Sequence, residues 1–455
     1  MDIALPLGPP IPENGAEAFR VQHSRLRRRI LYSQHKNDVK KRLVQSVGSK
    51  RAEKWGMDPD MTSNPAWTVC TQLAALYRKA PDVMAPKGGD DAAAAIAEAG
   101  FWQLAQRNQR DTIGLNNMLV RVDIDEDDGP AFQLAHPDLV EVKAHPLRPS
   151  KLLQVKHWVQ DPRDAEKWVR LEVEPAKRRY QAFDEDGAEV TREVLEGDSF
   201  SGESYPWMVE GNAVMPYVSY RAAETGYALD PYTGSEVFEG ALQLGVYYSF
   251  FGHILRNAAW AQRWALGVEP LGASTSADGK RSEVTADPAT LLLFKLLEGF
   301  EGQPTMGQFN TPVDPDQVLK AVERYERRLV DMALGAVGVS RRESDVRSAM
   351  SLAVSREAQR EAQASYEPMF RRSDLQLLRL VSGLMGGPTA GWRINYFSIP
   401  KDAAEIRAEM EQMAGLIESG LMSRVEAYQK LHPGLTREEA QAALALIESD
   451  NRQAA

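Results

Sequence analysis

The 455-residue chain predicts an α+β fold. Three observations carry this. Hydrophobic residues make up 43% and charged residues 26%, a globular composition that excludes wholesale disorder, collagen and a disulfide scaffold. Apolar residues alternate with a period of two within residues 118–220, the pattern of half-buried strands. Helical spacing then dominates from residue 236 onward. A chain of this length suggests about two to four domains.

Met1–Gly15 carries prolines at positions 6, 9, 10 and 12 and reads as an extended arm. Val21–Lys54 holds 11 basic residues against Asp38 and Glu53, a local charge of +9 in a chain of net charge −10. Arg25, Arg27, Arg28, Arg29, Lys40, Lys41 and Arg42 are its densest part. It reads either as a solvated helix face or as a contact surface for nucleic acid or an acidic partner. In the second case, reversing charge at Arg27, Arg28 and Arg29 leaves the subunit folded.

Pro65–Arg78 predicts a buried helix, Lys79–Asp91 a loop and Asp91–Asn108 an Ala-rich helix. Val120, Val122 and Ile124, then Leu153, Val155, His157 and Val159, then Val169, Leu171 and Val173 alternate with polar residues. Asp128-Gly129 and Asp186-Gly187 are turn signals between such strands. The region is therefore mainly antiparallel β.

Glu236–Gln262 predicts a helix. Its run Gly240–Leu255 has 16 uncharged residues, short of the roughly 20 needed to span a bilayer, and reads as a buried helix in which His253 is a core histidine. Asp314–Leu334 predicts a helix with Asp314 as N-cap, Pro315 at N1 and Gln317 closing a capping box. Val318, Val322, Tyr325, Leu329 and Met332 mark its apolar face. A long helix from about Ser344 to about Leu384 contains Pro368, which should kink it, and Gly386-Gly387-Pro388 stops it. Trp392–Ile399 predicts a short strand. Three short helices follow, with capping boxes Ser423–Glu426 and Thr436–Glu439.

The chemistry-bearing patterns are few. The lone Cys70 allows no intrachain disulfide and no four-cysteine zinc site, and makes a reducing compartment the default. Met1–Pro12 lacks the pattern of a signal peptide. No GxxxxGK[ST] loop, GxSxG elbow or metal-spaced histidine pair occurs. The acidic run Asp123–Gly129 fails as an EF-hand loop, because its glycine falls one place late and the twelfth position is Leu134. Trp158, Trp168 and Tyr180 have acidic neighbours and read as core aromatics rather than base-stacking ones. The residues alone thus predict no enzymatic activity, no cofactor and no metal. A multi-domain cytoplasmic enzyme with a dispersed site stays open, since such a site leaves no local motif.

Four stretches in sequence order resemble parts of tailed-bacteriophage portal (head–tail connector) proteins. Asn64–Val83 is similar to the N-terminal portal helix, and Val214–Tyr227 leading into Glu236–Gln262 to a strand, loop and first stem helix. Asp314–Gln359 resembles the second stem helix, tunnel loop and start of the long wing helix, and Ile394–Asp450 the crown. The resemblance implies a portal-like subunit with an α/β wing, a two-helix stem, a small clip, a long kinked wing helix and a helical C-terminal crown. Residues 1–60 would be the arm and basic segment, 61–235 the wing, 236–263 stem helix 1 and 264–312 the clip. Residues 313–334 would be stem helix 2, 335–348 the tunnel loop, 349–399 the long helix and strand, and 400–455 the crown.

It further implies a ring, usually of twelve subunits, at one capsid vertex. The ring would pass double-stranded DNA and meet terminase, a head–tail adaptor and the major capsid protein, with no membrane partner. The apolar stripe of 318–332 would pack on its neighbour. Lys320, Glu323, Arg324, Arg327, Arg328, Val337, Val339, Arg341 and Arg342 become candidates for the channel. Another head–tail connector component is the rival within assembly proteins.

Gly335 and Gly338 flank Ala336-Val337 directly after a well-capped helix, and a hinge that needs positive φ rejects a β-branched residue. In the portal reading, Gly338→Val leaves ring assembly intact and lowers the DNA content per particle. Full-length DNA in mutant heads would leave these glycines only a helix-capping role.

Overall fold

The computed structural model describes residues 15–54, 57–125, 129–161, 164–194, 205–224, 226–229, 236–259, 262–266, 268–270, 294–296, 302–309, 314–334, 349–397, 403–431 and 437–454. The chain divides into two compact units, Met1–Val337 with Glu361–Phe397, and Gly338–Arg360 with Ser398–Ala455.

The first unit opens with helices α1 (Ala16–Leu31), α2 (Lys36–Val47), α3 (Ser49–Lys54) and α4 (Pro65–Leu73). Asn64 caps α4 by accepting from the Trp67 N–H at 3.1 Å. The helix stops five residues short of the Arg78 that periodicity suggests. The chain leaves it to bury Leu76 and Tyr77, and the stranded Leu76 N–H donates to the buried Gln109 Oε1 at 3.0 Å.

Strand β1 (Asp82–Met84) follows, inside the expected loop, and then α5 (Asp90–Glu98) and α6 (Phe101–Leu115) replace the single predicted helix. The break is at Gly100, which takes the left-handed conformation at φ 69°.

The β region holds β2 (Asn117–Asp125), β3 (Gly129–Ala135), β4 (Val140–His145), β5 (Arg148–Asp161), β6 (Asp164–Glu174) and β7 (Arg179–Phe183). After them come α7 (Thr191–Val194), β8 (Met208–Val209), β9 (Asn212–Ala213) and β10 (Tyr217–Arg221). One sheet has the order β10-β2-β3 and another β4-β5-β6-β7, with every printed pairing antiparallel. The expected alternation in β5 fails at its start. Register shifts between Lys143 and His145 change the facing of β5, so Leu152 is buried and Leu153 only half-buried. The Asp186-Gly187 turn forms, with Gly187 at φ 81°. Trp158 and Trp168 are half-buried, not core residues, and Trp158 stacks under Arg170, whereas Tyr180 is buried against Trp207.

Helix α8 (Glu236–Ala259) ends three residues before Gln262, where β11 (Gln262–Leu266) begins. Strands β12 (Val268–Pro270), β13 (Phe294–Leu296) and β14 (Thr305–Phe309) lead to α9 (Pro315–Ala333) and α10 (Ala349–Leu384). β11 pairs with β14 and β12 with β13. His253 is half-buried rather than in a core. α10 continues through Pro368. After Gly386, at φ 76°, β15 (Arg393–Asn395) pairs antiparallel with β1.

Three apolar layers result. Met118, Val120 and Val122 of β2 pack with α5, α6 and the Phe370–Val381 part of α10. Leu119, on the opposite face of β2, packs with Val155, Leu171 and Val173 of the second sheet. Ile30, Leu43, Val69, Phe238 and Leu242 form a separate helical core from α1, α2, α4 and α8.

The second unit contains α11 (Ala403–Glu418), α12 (Arg424–Leu431) and α13 (Arg437–Ala454). The Ser423–Glu426 capping box closes in both directions, Ser423 N–H to Glu426 Oε2 at 2.9 Å and Glu426 N–H to Ser423 Oγ at 3.2 Å. Thr436 of the second predicted box lies outside the described residues, as does nearly all of the N-terminal arm.

Asp374 of α10 is fully buried in the first layer and accepts from three phenols. Tyr77 donates at 2.6 Å, Tyr220 of β10 at 2.8 Å, and Tyr396 also donates. Burial pushes this carboxyl up to about 6, against the hydrogen bonds from Tyr396, Tyr77 and Tyr220, which favour the anion. The folded chain therefore holds the proton more tightly than the unfolded chain does. The resulting stabilisation is complete below the ordinary value of 3.8 and is lost as pH rises through about 6. His157 behaves oppositely. Burial, then the charges of Arg121 and His136, push it down to about 3, so its contribution is present above 6.5 and is lost as pH falls toward 3. In urea unfolding, the stability advantage of wild type over Asp374→Asn should shrink by a few kcal/mol between about pH 4 and 7. The advantage over His157→Gln should grow across the same range. Two pH-independent differences would contradict both assignments.

Candidate functional site

Helices α8 and α9 form an antiparallel pair: Gly240 meets Leu329, and further along α8 Tyr247 packs edge-on against Tyr325 with ring centres 5.4 Å apart. A Cβ on Gly240 would lie 2.5 Å from Leu329, so the glycine sets the interaxial distance at this end. In the middle, Tyr248 donates to Glu326 Oε2 at 2.9 Å, and Ser63 donates to the other oxygen. Farther in, Ser249 Oγ accepts from the Asp60 N–H at 2.9 Å and donates to Gly245 O at 2.7 Å.

The N-cap of α9 is as expected, with the Asp314 carboxylate accepting from the Asp316 N–H at 3.0 Å. Val322 is buried, and Leu329 packs on the helical core of the same chain. The stripe expected to face a neighbour therefore packs largely on α8 of its own subunit, because α8 offers Gly240 and Tyr247 at matching positions. Met332 remains 45% exposed.

Opposite this seam, Lys320, Glu323, Arg324, Arg327 and Arg328 are all exposed. Lys320, Arg324 and Arg327 recur at spacings of four and three and share the outer face, with Glu323 and Arg328 at its two edges. None of these four cations forms an ion pair with a carboxylate among the described residues. Val337, Val339, Arg341 and Arg342 lie outside the described residues.

The basic segment of α1 is not the contact surface that its composition suggests. Arg25, Arg27 and Arg28 are buried. Arg28 lies 2.8 Å and Arg25 3.7 Å from Asp138, whose side chain is completely buried, and the Arg27 guanidinium covers the Phe238 ring at 4.8 Å. Desolvation pushes Arg25 below its usual value, Asp138 opposes this, and the neighbouring Arg28 and Arg29 add to it. Arg29 forks onto Asp38 at 2.8 and 2.9 Å, and Arg42 pairs with Glu239. Lys40 and Lys41 alone of the named set are exposed. The acidic partners come from distant sequence, so a count over Val21–Lys54 could not find them.

A second buried carboxylate, Asp111 of α6, gathers Tyr32, Arg110 at 2.7 Å and His136 at 3.5 Å. Burial would raise it, but the His136 hydrogen bond and charge, Arg110 and Tyr32 outweigh burial and hold it below the usual carboxylate range. Both clusters are structural: their polar atoms face one another.

A groove of about 640 Å³ opens beside the helix pair, where α1, α2, α8 and α9 meet. Leu26, Phe238, Tyr325 and Met332 supply apolar wall and Arg328 part of the rim. Sequence periodicity had no signal for it, since its walls come from four separated elements. Among the described residues, no group of three or more His, Cys, Asp or Glu side chains could hold a metal ion. No described helix is long and apolar enough to cross a membrane.

No family model and no curated protein matches the chain. Among solved structures, it is similar to a chain in the virion of a native gene transfer agent particle, at 14% identity and TM-score 0.40, covering 83% of this chain and 91% of that one. It is also similar to a chain in the neck of an empty gene transfer agent particle, at 13% identity and TM-score 0.36, covering 86% and 92%.

Because Arg28 is an internal ion-pair partner, Arg28→Ala should strand the Asp138 charge and destabilise the subunit by about 3–5 kcal/mol in denaturant unfolding. A fully stable Arg28→Ala chain would return α1 to the role of a surface element.

Proposed function

We propose that the chain is a portal subunit, assembling as a ring at a capsid vertex through which double-stranded DNA enters and leaves, with terminase and a head–tail adaptor as docking partners. The observation that carries this is the arrangement around α8 and α9. Two antiparallel helices are continued by paired strands, β11 with β14, and present an unpaired basic face on α9. The order of the four portal-like stretches, with a helix of 36 residues after α9, supports the same reading.

In this reading α8 and α9 are the stem, 264–312 the clip and α9 the wall nearest DNA. Cyclic assembly joins two different faces of the subunit. The protein's task is then passage and docking rather than catalysis, and packaging energy comes from a separate terminase.

The purified protein should run as a species of about 607 kDa, twelve times the 50.6 kDa chain, and appear as rings by negative-stain imaging. A monomer, dimer or tetramer at assembly concentrations would remove the portal reading. Replacing Lys320, Arg324 and Arg327 together by glutamate should leave folding and ring mass unchanged, since all three are exposed and unpaired, and should lower the DNA retained per particle. Wild-type genome content in that variant would exclude α9 as the DNA-facing surface.

A further inference from the structure

Strand β5 runs past the end of its neighbour. Its register with β6 begins at Val155, opposite Val173, and β6 ends one residue later at Glu174, where the chain turns off through Pro175–Lys177. Among the described residues no strand pairs with Ser150–Leu153 on that side. On the other side β5 meets β4 across the bulge, where Ala144 faces Leu152 and His145 faces Arg148. An unpaired strand edge presents a row of N–H and C=O groups that a further strand can take up.

A groove of about 590 Å³ lies along this edge. Ser150, Lys151, Leu152 and Leu153 all line it, although successive side chains of a strand point to opposite faces. Four consecutive residues reach one groove only where it follows the edge of the strand rather than a face. Pro175 and Ala176, directly after β6, line it as well, so the groove lies where a longer β6 would run. Its remaining walls are largely apolar: Val209, Val214 and Met215 around β8 and β9, and Leu380 of α10, all half-buried.

Charge narrows the partner. The charged lining residues are Lys151 and Arg379, both exposed, and no Asp or Glu lines the groove. Neither cation has an ion pair among the described residues. The carboxylates adjacent in sequence to lining residues are already engaged: Glu174 faces Lys177 at 3.2 Å, and Glu210 accepts from Thr389 at 3.3 Å.

We propose that this groove docks an extended segment of another protein, with apolar and acidic residues alternating, which adds as a strand to the free edge of β5 at Ser150–Leu153. Main-chain hydrogen bonds to the edge supply affinity, and alternate side chains supply selectivity. The apolar side chains of the segment cover the Val209, Met215 and Leu380 walls, and its carboxylates meet Lys151 and Arg379. The edge is roughly 13 Å long at about 3.3 Å per residue, room for a strand of four or five residues. A lysine on an open edge discourages pairing with apolar strands. Opposite an acidic strand the same charge attracts, so Lys151 selects for this partner. The inference uses only this edge and its groove, so it stands or falls separately from ring assembly.

The test titrates a fluorescent peptide of about eight residues, valine alternating with glutamate, into the intact protein. Saturable binding at one peptide per chain is expected, with slowed amide exchange at Lys151–Leu153. A peptide with lysine in place of glutamate should not bind. Methylating alternate backbone nitrogens of the peptide should abolish binding for the set that faces β5 and spare it for the other set, because only every second amide of a strand points at a given neighbour. Lys151→Glu combined with Arg379→Glu should weaken binding about tenfold or more, with folding verified by thermal melting. The methylation comparison needs no change to the protein, so misfolding of the variant cannot mimic it. Absence of saturable binding, equal binding of the lysine peptide, equal tolerance of both methylation sets, or unchanged affinity in a folded double variant would each overturn the proposal. A fall in oligomer mass on adding the peptide would give the edge to a neighbouring subunit and overturn docking of a separate protein.

Discussion

Guanidinium groups that cannot reach water fix how α1 sits on the rest of the first unit. Arg20 donates to the carbonyls of Pro137 and, at 2.7 Å, Val140, while Arg25 and Arg28 face the buried Asp138. These partners occupy the short link between β3 and β4 and the first residue of β4, where the chain passes from one sheet to the other. A buried charge without its partner costs several kcal/mol, so the seat of α1 is the one in which Arg20 meets two carbonyls and Arg25 and Arg28 face the Asp138 carboxylate. Tyr32 at the end of α1 reaches Asp111, which also faces His136 at the start of the same link. The crossing between the two sheets is thereby gripped from α1 and α6 together, and the helical core built on α1 inherits its position from that grip.

Asp111 and Asp374 show how surroundings decide what a buried carboxylate does. Both are fully buried, and desolvation is the largest influence on each. Around Asp111 one phenol, Tyr32, is joined by His136 and Arg110, and the charged form wins. Around Asp374 the neighbours are neutral phenols, whose hydrogen bonds return less than burial removes. The first carboxylate strengthens the fold as long as it stays ionised, and the second while it stays protonated. Their pH dependences oppose one another, so the fold does not lean on a single protonation state across mildly acidic conditions. The three tyrosines also join parts of the chain far apart in sequence, Tyr77 after α4, Tyr220 on β10 and Tyr396 after β15, to one point on α10.

What could be read from the sequence was whatever rests on local periodicity. The α9 helix with its Asp314 cap, the Ser423–Glu426 box, the strands through Val120, Val155 and Val169, and the glycine stop at Gly386 all depend on residues within a few positions of each other. The misreadings share the opposite cause. α4 stops at Leu73 because Gln109, on another helix, accepts the freed N–H. The facing of β5 changes because of a bulge against β4. The arginines of α1 looked like surface because Asp138 lies about a hundred residues away. The candidate site was legible to the same extent: the exposed face of α9 follows from its heptad-like spacing, whereas the groove beside it requires four elements to meet.

Withdrawing the α1 arginines from the surface changes where the chain's positive charge acts. The +9 segment, with its most concentrated run internal or paired, presents chiefly Lys40 and Lys41 outward among the named residues. The unpaired cations of α9 then stand out against an overall acidic chain, three of them on one face over two turns of helix. DNA binds proteins mainly through phosphates displacing counterions, with affinity falling roughly as the 0.9Z power of salt for Z contacts. Two or three contacts per subunit give attraction that is weak and strongly screened, and identical positions repeated around a ring give a duplex no preferred register. In the proposed role that is the useful regime: enough attraction to guide the polyanion, too little at any one subunit to hold it still. An α1 surface bearing four further free arginines would have supplied the tight grip that a conduit has to avoid.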